Sequence, residues 1–274
     1  MKDKTGYLYL SAKKKQDKTI IDDIYFYDQL KVIKPLYLDD SGQPSIFVVN
    51  PGGGYVDGDT YRMDIRLQEN AELLLSNQSA TTIYKTPESC VCQEMEIVLK
   101  KGSLLEYVPD PIIAFKDAKF RQDTKIYMEP GATLIYAELI SPGWSPDGTP
   151  FTYDTLRLKT EVYWDGKLAV YDQVRLQPDI QNMYETGFFE GYTHFGSMMV
   201  IGDQAAPAFL DQMYDFLEDE NLPGRIGFSM LTIPGFTLRV FASSTQDAEG
   251  VFNKVHTLIR KEWFNKEPIY LYKY

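Results

Sequence analysis

The chain has 274 residues, 44% hydrophobic and 24% charged, which suffices for one large domain or two modest ones with a proper core. A formal net charge of -11 and a pI near 4.8 argue against nucleic acid and anionic membrane surfaces as partners, because both are held by basic groups. No segment approaches the run of about 20 apolar residues that spans a bilayer, and 20 Tyr and 15 Phe against 3 Trp lean the composition towards β structure.

At the N-terminus, Met1-Lys-Asp-Lys-Thr-Gly is followed by Tyr7-Leu-Tyr-Leu10 and then Lys13, Lys14 and Lys15. Four apolar residues fall short of a secretory core of roughly 7–15, so a cytoplasmic location is expected. The next unusual segment is Asn50-Pro-Gly-Gly-Gly-Tyr-Val-Asp-Gly-Asp-Thr60. Its spacing from Gly53 to Thr60 imitates a phosphate loop, yet Asp59 stands where that loop needs lysine, and a carboxylate repels phosphate. The dinucleotide fingerprint fails too, since Gly52-x-Gly54 meets Asp57 at its third glycine position. What remains is a glycine run beside two carboxylates. It fits either a preformed docking loop with an acidic mouth or a tight connection between strands.

From about residue 45 to 178 the apolar period is two. Met95, Ile97 and Leu99 alternate with Glu94, Glu96 and Val98. The stretches from Phe120 to Met128 and from Leu134 to Ile140 flank a turn at Glu129-Pro130-Gly131-Ala132. Leu156, Leu158, Val162 and Trp164 lead into Asp165-Gly166, which predicts a two-residue hairpin turn with positive φ at both positions. A weak repeat runs through Asn70, Gly102, Gly131 and Gly166, each followed by a short apolar run beginning with Leu, at separations of 32, 29 and 35 residues. Such a unit stacking on its neighbours predicts a β-helix-like or layered sheet architecture, although β proteins also reuse turn chemistry without stacking.

The last quarter changes period. Phe209, Leu210, Met213, Phe216 and Leu217 predict a helix that stops near Asn221. Ser244 with Asp247 three residues on resembles a capping box, and Val251, Phe252, Val255, Leu258 and Ile259 form one stripe of a second helix. Between the helices, residues 227–242 alternate and turn at Pro234-Gly235. With no low-complexity linker, the reading is one mainly β (α+β) domain over residues 1–274. Its β-rich core covers about 1–202, and two helices with intervening strands cover about 203–274.

Catalytic machinery is thin. Only His194 and His256 offer imidazole, and Ser197 and Asp203 near His194 lack a nucleophile elbow. Cys90 and Cys92 share one strand face, but a metal site usually needs four thiol or imidazole ligands, so they read as two small hydrophobes. The pair Glu106 and Asp110 offers acid–base chemistry only if the two meet across a cleft.

These segments resemble the UreD (UreH) family of urease accessory proteins. The signature block is Val48-Val-Asn-Pro-Gly-Gly-Gly54 through Gly58-Asp59. In the same order follow Ser76-Asn-Gln-Ser-Ala80, Ile83-Tyr84-Lys85, Leu105-Glu-Tyr-Val-Pro-Asp-Pro111, Gly131 with Leu134 and Glu138, Asp165-Gly166, Leu176-Gln-Pro178, Leu238-Arg-Val240 and Ile259-Arg260. The chain departs at Gly143-Trp144, where the family pattern has Gly-Arg, and at Gly148-Thr149, where it has Gly-Glu. The resemblance implies a β-helix-like domain with two C-terminal helices and no catalysis of its own. It further implies binding to the urease apoprotein and to UreF, which recruits the GTPase UreG, with nickel passing through the assembly and none held permanently. A transit path needs weak oxygen ligands, because soft, tight sites would trap the ion. Candidate docking or path residues are therefore Asn50, Gly52, Gly53, Gly54, Asp59, Gln78, Tyr84, Glu106, Asp110 and Glu138, with Asp59 as a transient ligand. Two alternatives stand beside this reading: a purely structural scaffold, and a hydrolase on a β fold.

Overall fold

The computed structural model describes residues 4–220, 222–269 and 271. The chain starts with an antiparallel hairpin, β1 (Gly6–Lys15) and β2 (Lys18–Asp28), then the short β3 (Lys31–Val32) and β4 (Leu36–Tyr37) and the buried β5 (Pro44–Val49). It then winds in successive coils. The first contains β6 (Thr60–Leu67), β7 (Glu72–Asn77) and β8 (Thr81–Ile83); the second contains β9 (Val91–Leu99), β10 (Leu104–Tyr107) and β11 (Ile112–Ala114). A third begins with β12 (Lys119–Met128) and β13 (Thr133–Ile140). Equivalent strands stack in parallel, β6 on β9 on β12, β7 on β10 on β13, and β8 on β11. This is the solenoid arrangement that the repeat predicts.

Three of the four repeat positions sit at one corner of the coil. Asn70, Gly102 and Gly131 all have positive φ, and the amide of Gly102 donates to the carbonyl of Gly131 at 3.1 Å. The φ of 72° at Gly102 favours glycine, and a Cβ there would stand 2.2 Å from the Asn70 Oδ1, so the Asn70 side chain would have to move. The fourth position differs. Asp165-Gly166 closes the hairpin between β14 (Thr155–Trp164) and β15 (Lys167–Leu176), as its turn chemistry predicts, and β15 runs back antiparallel and ends the stack.

After a long connection come β16 (His194–Ile201), α1 (Pro207–Asp219), β17 (Arg225–Met230), β18 (Gly235–Ala242) and α2 (Thr245–Phe264). Sheet A has the order β15-β14-β12-β9-β6-β1-β2, and sheet B the order β17-β18-β16-β13-β10-β7-β5-β3, with β4, β8 and β11 attached. Two cores result. One fills the space between the sheets, and the other lies between the outer side of sheet B and the two helices. Hence β13 reads as an almost unbroken apolar run, with Leu134, Tyr136 and Ile140 facing inward and Ile135, Ala137 and Leu139 facing the helices. By contrast β9, whose outer side is open, alternates strictly.

Pro207 opens α1, and Ser244 caps α2 by accepting from the Asp247 amide at 3.1 Å. Asn265, in the left-handed conformation, ends α2. The expected stop of the first helix at Asn221 and the start at Met1–Asp3 lie outside the described residues.

Candidate functional site

The glycine run of residues 52–54 forms a turn over one end of the space between the sheets. Asn50 fastens it: its Oδ1 accepts from the Gly52 amide at 2.9 Å, and its Nδ2 donates to the Gly54 carbonyl at 3.3 Å. Gly54 lies so close to Tyr84 that a Cβ would stand 2.6 Å from the ring and 2.9 Å from the Thr82 carbonyl. Asp59 closes the same loop. Its Oδ2 accepts from the Val56 amide and from the Tyr61 hydroxyl, both at 2.8 Å.

Inward from this loop a row of polar side chains runs across the strands, along the solenoid axis. Tyr61, Gln93 and Gln122 occupy one cross-strand register on β6, β9 and β12. Tyr55 stacks on Tyr61 with ring centroids 3.8 Å apart and donates its hydroxyl to the Gln93 Oε1 at 2.8 Å. Gln93 Nε2 donates to the Gln122 Oε1 at 3.1 Å, and Gln122 Nε2 donates in turn to Glu138. Tyr136 also donates to the Glu138 Oε1, at 2.8 Å. Two small cavities of about 30 and 20 Å³ flank the row and share Asn77, Thr81 and Gln93 as lining. Each has room for ordered water among polar partners. Beyond Glu138 the two sheets are tied by Arg239, whose Nη2 donates to both oxygens of Asp172 at 2.7 and 2.8 Å.

The environment tunes these groups. Burial pushes the Glu138 carboxyl up to about 7; Asp172 adds to the rise, and hydrogen bonds from Tyr136 and Gln122 together with the Arg239 charge temper it. Burial, reinforced by Glu138, drives the Tyr136 phenol up as well, so it remains a donor. Near neutrality the row therefore offers hydroxyl and amide oxygens and one carboxyl poised between its two forms.

Among the ten sequence candidates, Asn50, Gly53 and Gly54 line the first cavity, and Asp110 and Glu138 line the second. Gly52 belongs to the turn, and Asp59 reaches the row through Tyr61. Gln78 is exposed and joins only by its backbone amide, which donates to the Val48 carbonyl. Tyr84 starts an outer aromatic ladder with Phe115 and Trp144, at centroid separations of 5.0 and 4.6 Å. Trp144, one of the departures from the family pattern, is thus a rung of that ladder.

Glu106 is elsewhere. It points to the outer side of sheet B, fully buried beneath α2, where Arg260 Nη1 donates to its two oxygens at 2.7 and 2.8 Å and Gln43 Nε2 donates at 2.8 Å. His256 Nε2 contacts its Oε2 at 2.5 Å. Burial alone would raise this carboxyl, but His256 and Arg260 overcome it and hold it far below the usual carboxylate range. Glu106 and His256 therefore anchor the helix, and the structure does not bring Glu106 to the polar row. His194 is likewise buried, with Nδ1 2.9 Å from the Thr193 hydroxyl. Cys92 points outward at the edge of the core and Cys90 is half-buried. Among the described residues no three His, Cys, Asp or Glu side chains converge into a metal-binding group.

Sequence reasoning did not single out Tyr55, Tyr61, Gln93, Gln122 or Tyr136. Its overlooked signal is phase: Gln93 sits in register with the inward Val91, Met95 and Ile97, and Gln122 with Phe120 and Ile126. A polar residue in the apolar phase must find an interior partner.

A two-sheet parallel β-solenoid with a helix pair on one sheet and a polar row sealed between the sheets defines the structural class. The model of the UreD urease accessory protein family matches residues 4–271, and the chain belongs to that family. It is 48% identical over 270 residues to a urease accessory protein UreD of Lachnoclostridium phytofermentans, covering 98% of both chains. It is 41% identical over 270 residues to the UreD of Bacillus sp. strain TB-90, covering 98% of this chain and 99% of that one. With the UreD of Bacillus cereus it shares 35% identity over 274 residues, covering 100% of both. Membership assigns the chain an accessory role in urease maturation. No helix among the described residues is long and apolar enough to cross a membrane.

Proposed function

We propose that this chain is a non-catalytic cytoplasmic scaffold that binds the urease apoprotein and UreF, with UreG joining through UreF, and that Ni²⁺ moves through its interior. The observation that carries the reading is the row in which Tyr61, bonded to Asp59, stacks on Tyr55, and hydrogen bonds then run from Tyr55 through Gln93 and Gln122 to Glu138, flanked by the two cavities. Amide and phenol oxygens hold a first-row dication weakly, and the row contains no thiol or imidazole that would trap it. Glu138 supplies the carboxylate at the inner end of the row, with Asp59 at its outer end and Asp110 beside the second cavity. With the Glu138 carboxyl near 7, cation entry displaces a proton, so occupancy rises with pH through neutrality. Asn50 and the glycine turn form the mouth, and Asp59 holds that mouth in shape.

The test replaces the interior without touching the surface. Gln93→Leu/Gln122→Leu and Glu138→Gln variants are co-expressed with the urease subunits and partner proteins, and urease nickel is measured by mass spectrometry alongside pull-down of the complex. Intact complexes with nickel content several-fold lower support the conduit. Intact complexes with normal nickel content leave only a scaffold and refute it.

A further inference from the structure

Among the described residues no element covers the outer side of sheet A, and one cross-strand register on it aligns three arginines. Arg121 of β12 lies directly opposite Arg157 of β14, which lies directly opposite Arg175 of β15. All three lie in the outward phase, since their neighbours Phe120, Leu156 and Leu176 point into the core. Adjacent strands are about 4.8 Å apart, so three guanidinium-bearing positions fall within roughly 10 Å. Like charges placed directly opposite destabilise a sheet. The fold relieves only one of them: Asp123 pairs with Arg121, whereas neither Arg157 nor Arg175 is paired with a carboxylate among the described residues. Arg175 is also on the edge strand and exposed.

An acidic protein of net charge -11 has carboxylates in excess, yet sets none of them against Arg157 or Arg175 among the described residues. The connection that enters β12 extends the patch. There Phe115 and Trp144, with Tyr84, Lys85, Lys116 and Asp117, line an open cleft of about 520 Å³ in which Asp117 pairs with Lys85 at 2.8 Å, so its contribution to the patch is chiefly aromatic. Guanidinium groups favour planar, bidentate contact with carboxylates, and aromatic rings beside them take an apolar side chain.

We propose that the Arg121–Arg157–Arg175 row and the adjoining aromatic cleft dock an acidic polypeptide segment of a partner protein, its carboxylates on the arginines and an apolar side chain on Trp144. A polynucleotide suits the surface less well. Asp123 and Glu94 stand in the next outward register and Glu161 in the one after it, and they would repel an extended polyanion, while a segment with a few localised carboxylates avoids them. This inference is independent of any cation passing between the sheets.

Fluorescence anisotropy of the full chain tests it, with a fluorescein-labelled peptide of alternating glutamate and alanine containing one leucine as the probe. Wild type is expected to bind the peptide, less tightly as salt rises, and Arg157→Gln/Arg175→Gln to weaken binding roughly tenfold or more. The melting temperature of the double variant should stay level or rise, because the fold loses a repulsion. Arg175→Gln alone, at the exposed edge, provides the same comparison if the double variant folds poorly. Salt-independent or absent binding by wild type, unchanged binding by both variants, or equal affinity for an oligothymidylate of the same charge would each overturn the proposal.

Discussion

Replacing Glu106 by Gln asks whether this carboxylate belongs to a cation path or to the attachment of α2. Glu106 and Arg260 are both fully buried, and the pair also engages His256, Gln43 and Asp39. Removing one partner of a buried ion pair costs about 3–5 kcal/mol, because the other charge stays buried without compensation. Arg260 Nη2 keeps Asp39 at 2.6 Å, and Nη1 keeps Gln43 at 3.1 Å, so the low end, about 3 kcal/mol, is expected. For a chain of this size that lowers the melting temperature by about 6–12 °C. The sign with pH follows from the depressed carboxyl. Its contribution is complete above the unfolded-state value of about 4.3 and declines as acid titrates the folded carboxylate, so wild type and variant converge at low pH. Urea unfolding across pH, with hydrogen exchange on the amides of α2, reads both effects. A loss below about 1 kcal/mol, or unchanged protection in α2, refutes the anchor. So does a drop in urease nickel in a variant that still folds and assembles.

Two further outcomes follow from the row itself. Glu138 has a raised carboxyl, so the folded state binds its proton more tightly than the unfolded chain does. Wild-type stability should therefore fall between about pH 4.5 and pH 7, by up to about 3 kcal/mol, while Glu138→Gln shows no such slope in urea melts. At the mouth, Gly54→Ala places a methyl group 2.6 Å from Tyr84 and 2.9 Å from a carbonyl that cannot move freely. A cost of about 1–3 kcal/mol and displacement of the Tyr84 ring are expected, measured by thermal melts and tyrosine ring resonances. An unperturbed melt and spectrum would show that the turn has slack.

The architecture was legible because the coil repeats its turn chemistry. Positive-φ residues at Asn70, Gly102 and Gly131 and apolar runs of strand length carry the solenoid in local sequence. Gly166 shares that chemistry but belongs to a hairpin, since Asp165-Gly166 satisfies a two-residue turn and the next strand can return antiparallel. Local signals do not say which sheet receives a strand. The N-terminal hairpin escaped notice for a related reason: β2 is an edge strand whose Asp22, Asp23, Ile24 and Tyr25 are all exposed, so it shows little alternation. At the candidate site, Asp59, Asn50 and Glu138 stood out by type and context. Glu106 stood out equally, yet faces the other way, because the side on which a residue of β10 projects depends on the register with β7 and β13. Gln93 and Gln122 carried a local signal in their apolar phase, but that they meet each other follows only from the register of β9 with β12.

The placement of charge then follows from the three surfaces that a two-sheet solenoid creates. Outside sheet B, the helices must be held on an apolar face, and a buried ion pair with a unique geometry fixes where α2 lies. Between the sheets, side chains from β6, β9 and β12 repeat at the strand spacing, so a polar residue at one inward register generates a ladder along the axis. A ladder of this kind cannot be made from isolated ions without large desolvation costs, which accounts for amides and phenols with a single protonatable carboxyl. Outside sheet A, no helix restricts composition, and unlike charges alternate over most of the face, as between Arg62, Asp64, Arg66 and Glu96. Where carboxylates stand opposite one another, as Glu94 and Asp123 or Asp64 and Glu96 do, neighbouring Arg and Lys side chains pair with them, whereas in the Arg121–Arg157–Arg175 register only Arg121 is paired with a carboxylate among the described residues. Folding gains nothing from aligning three guanidinium groups, and Arg157 and Arg175 are left to solvent in the isolated chain, which is why this register is the one where an acidic partner would add most.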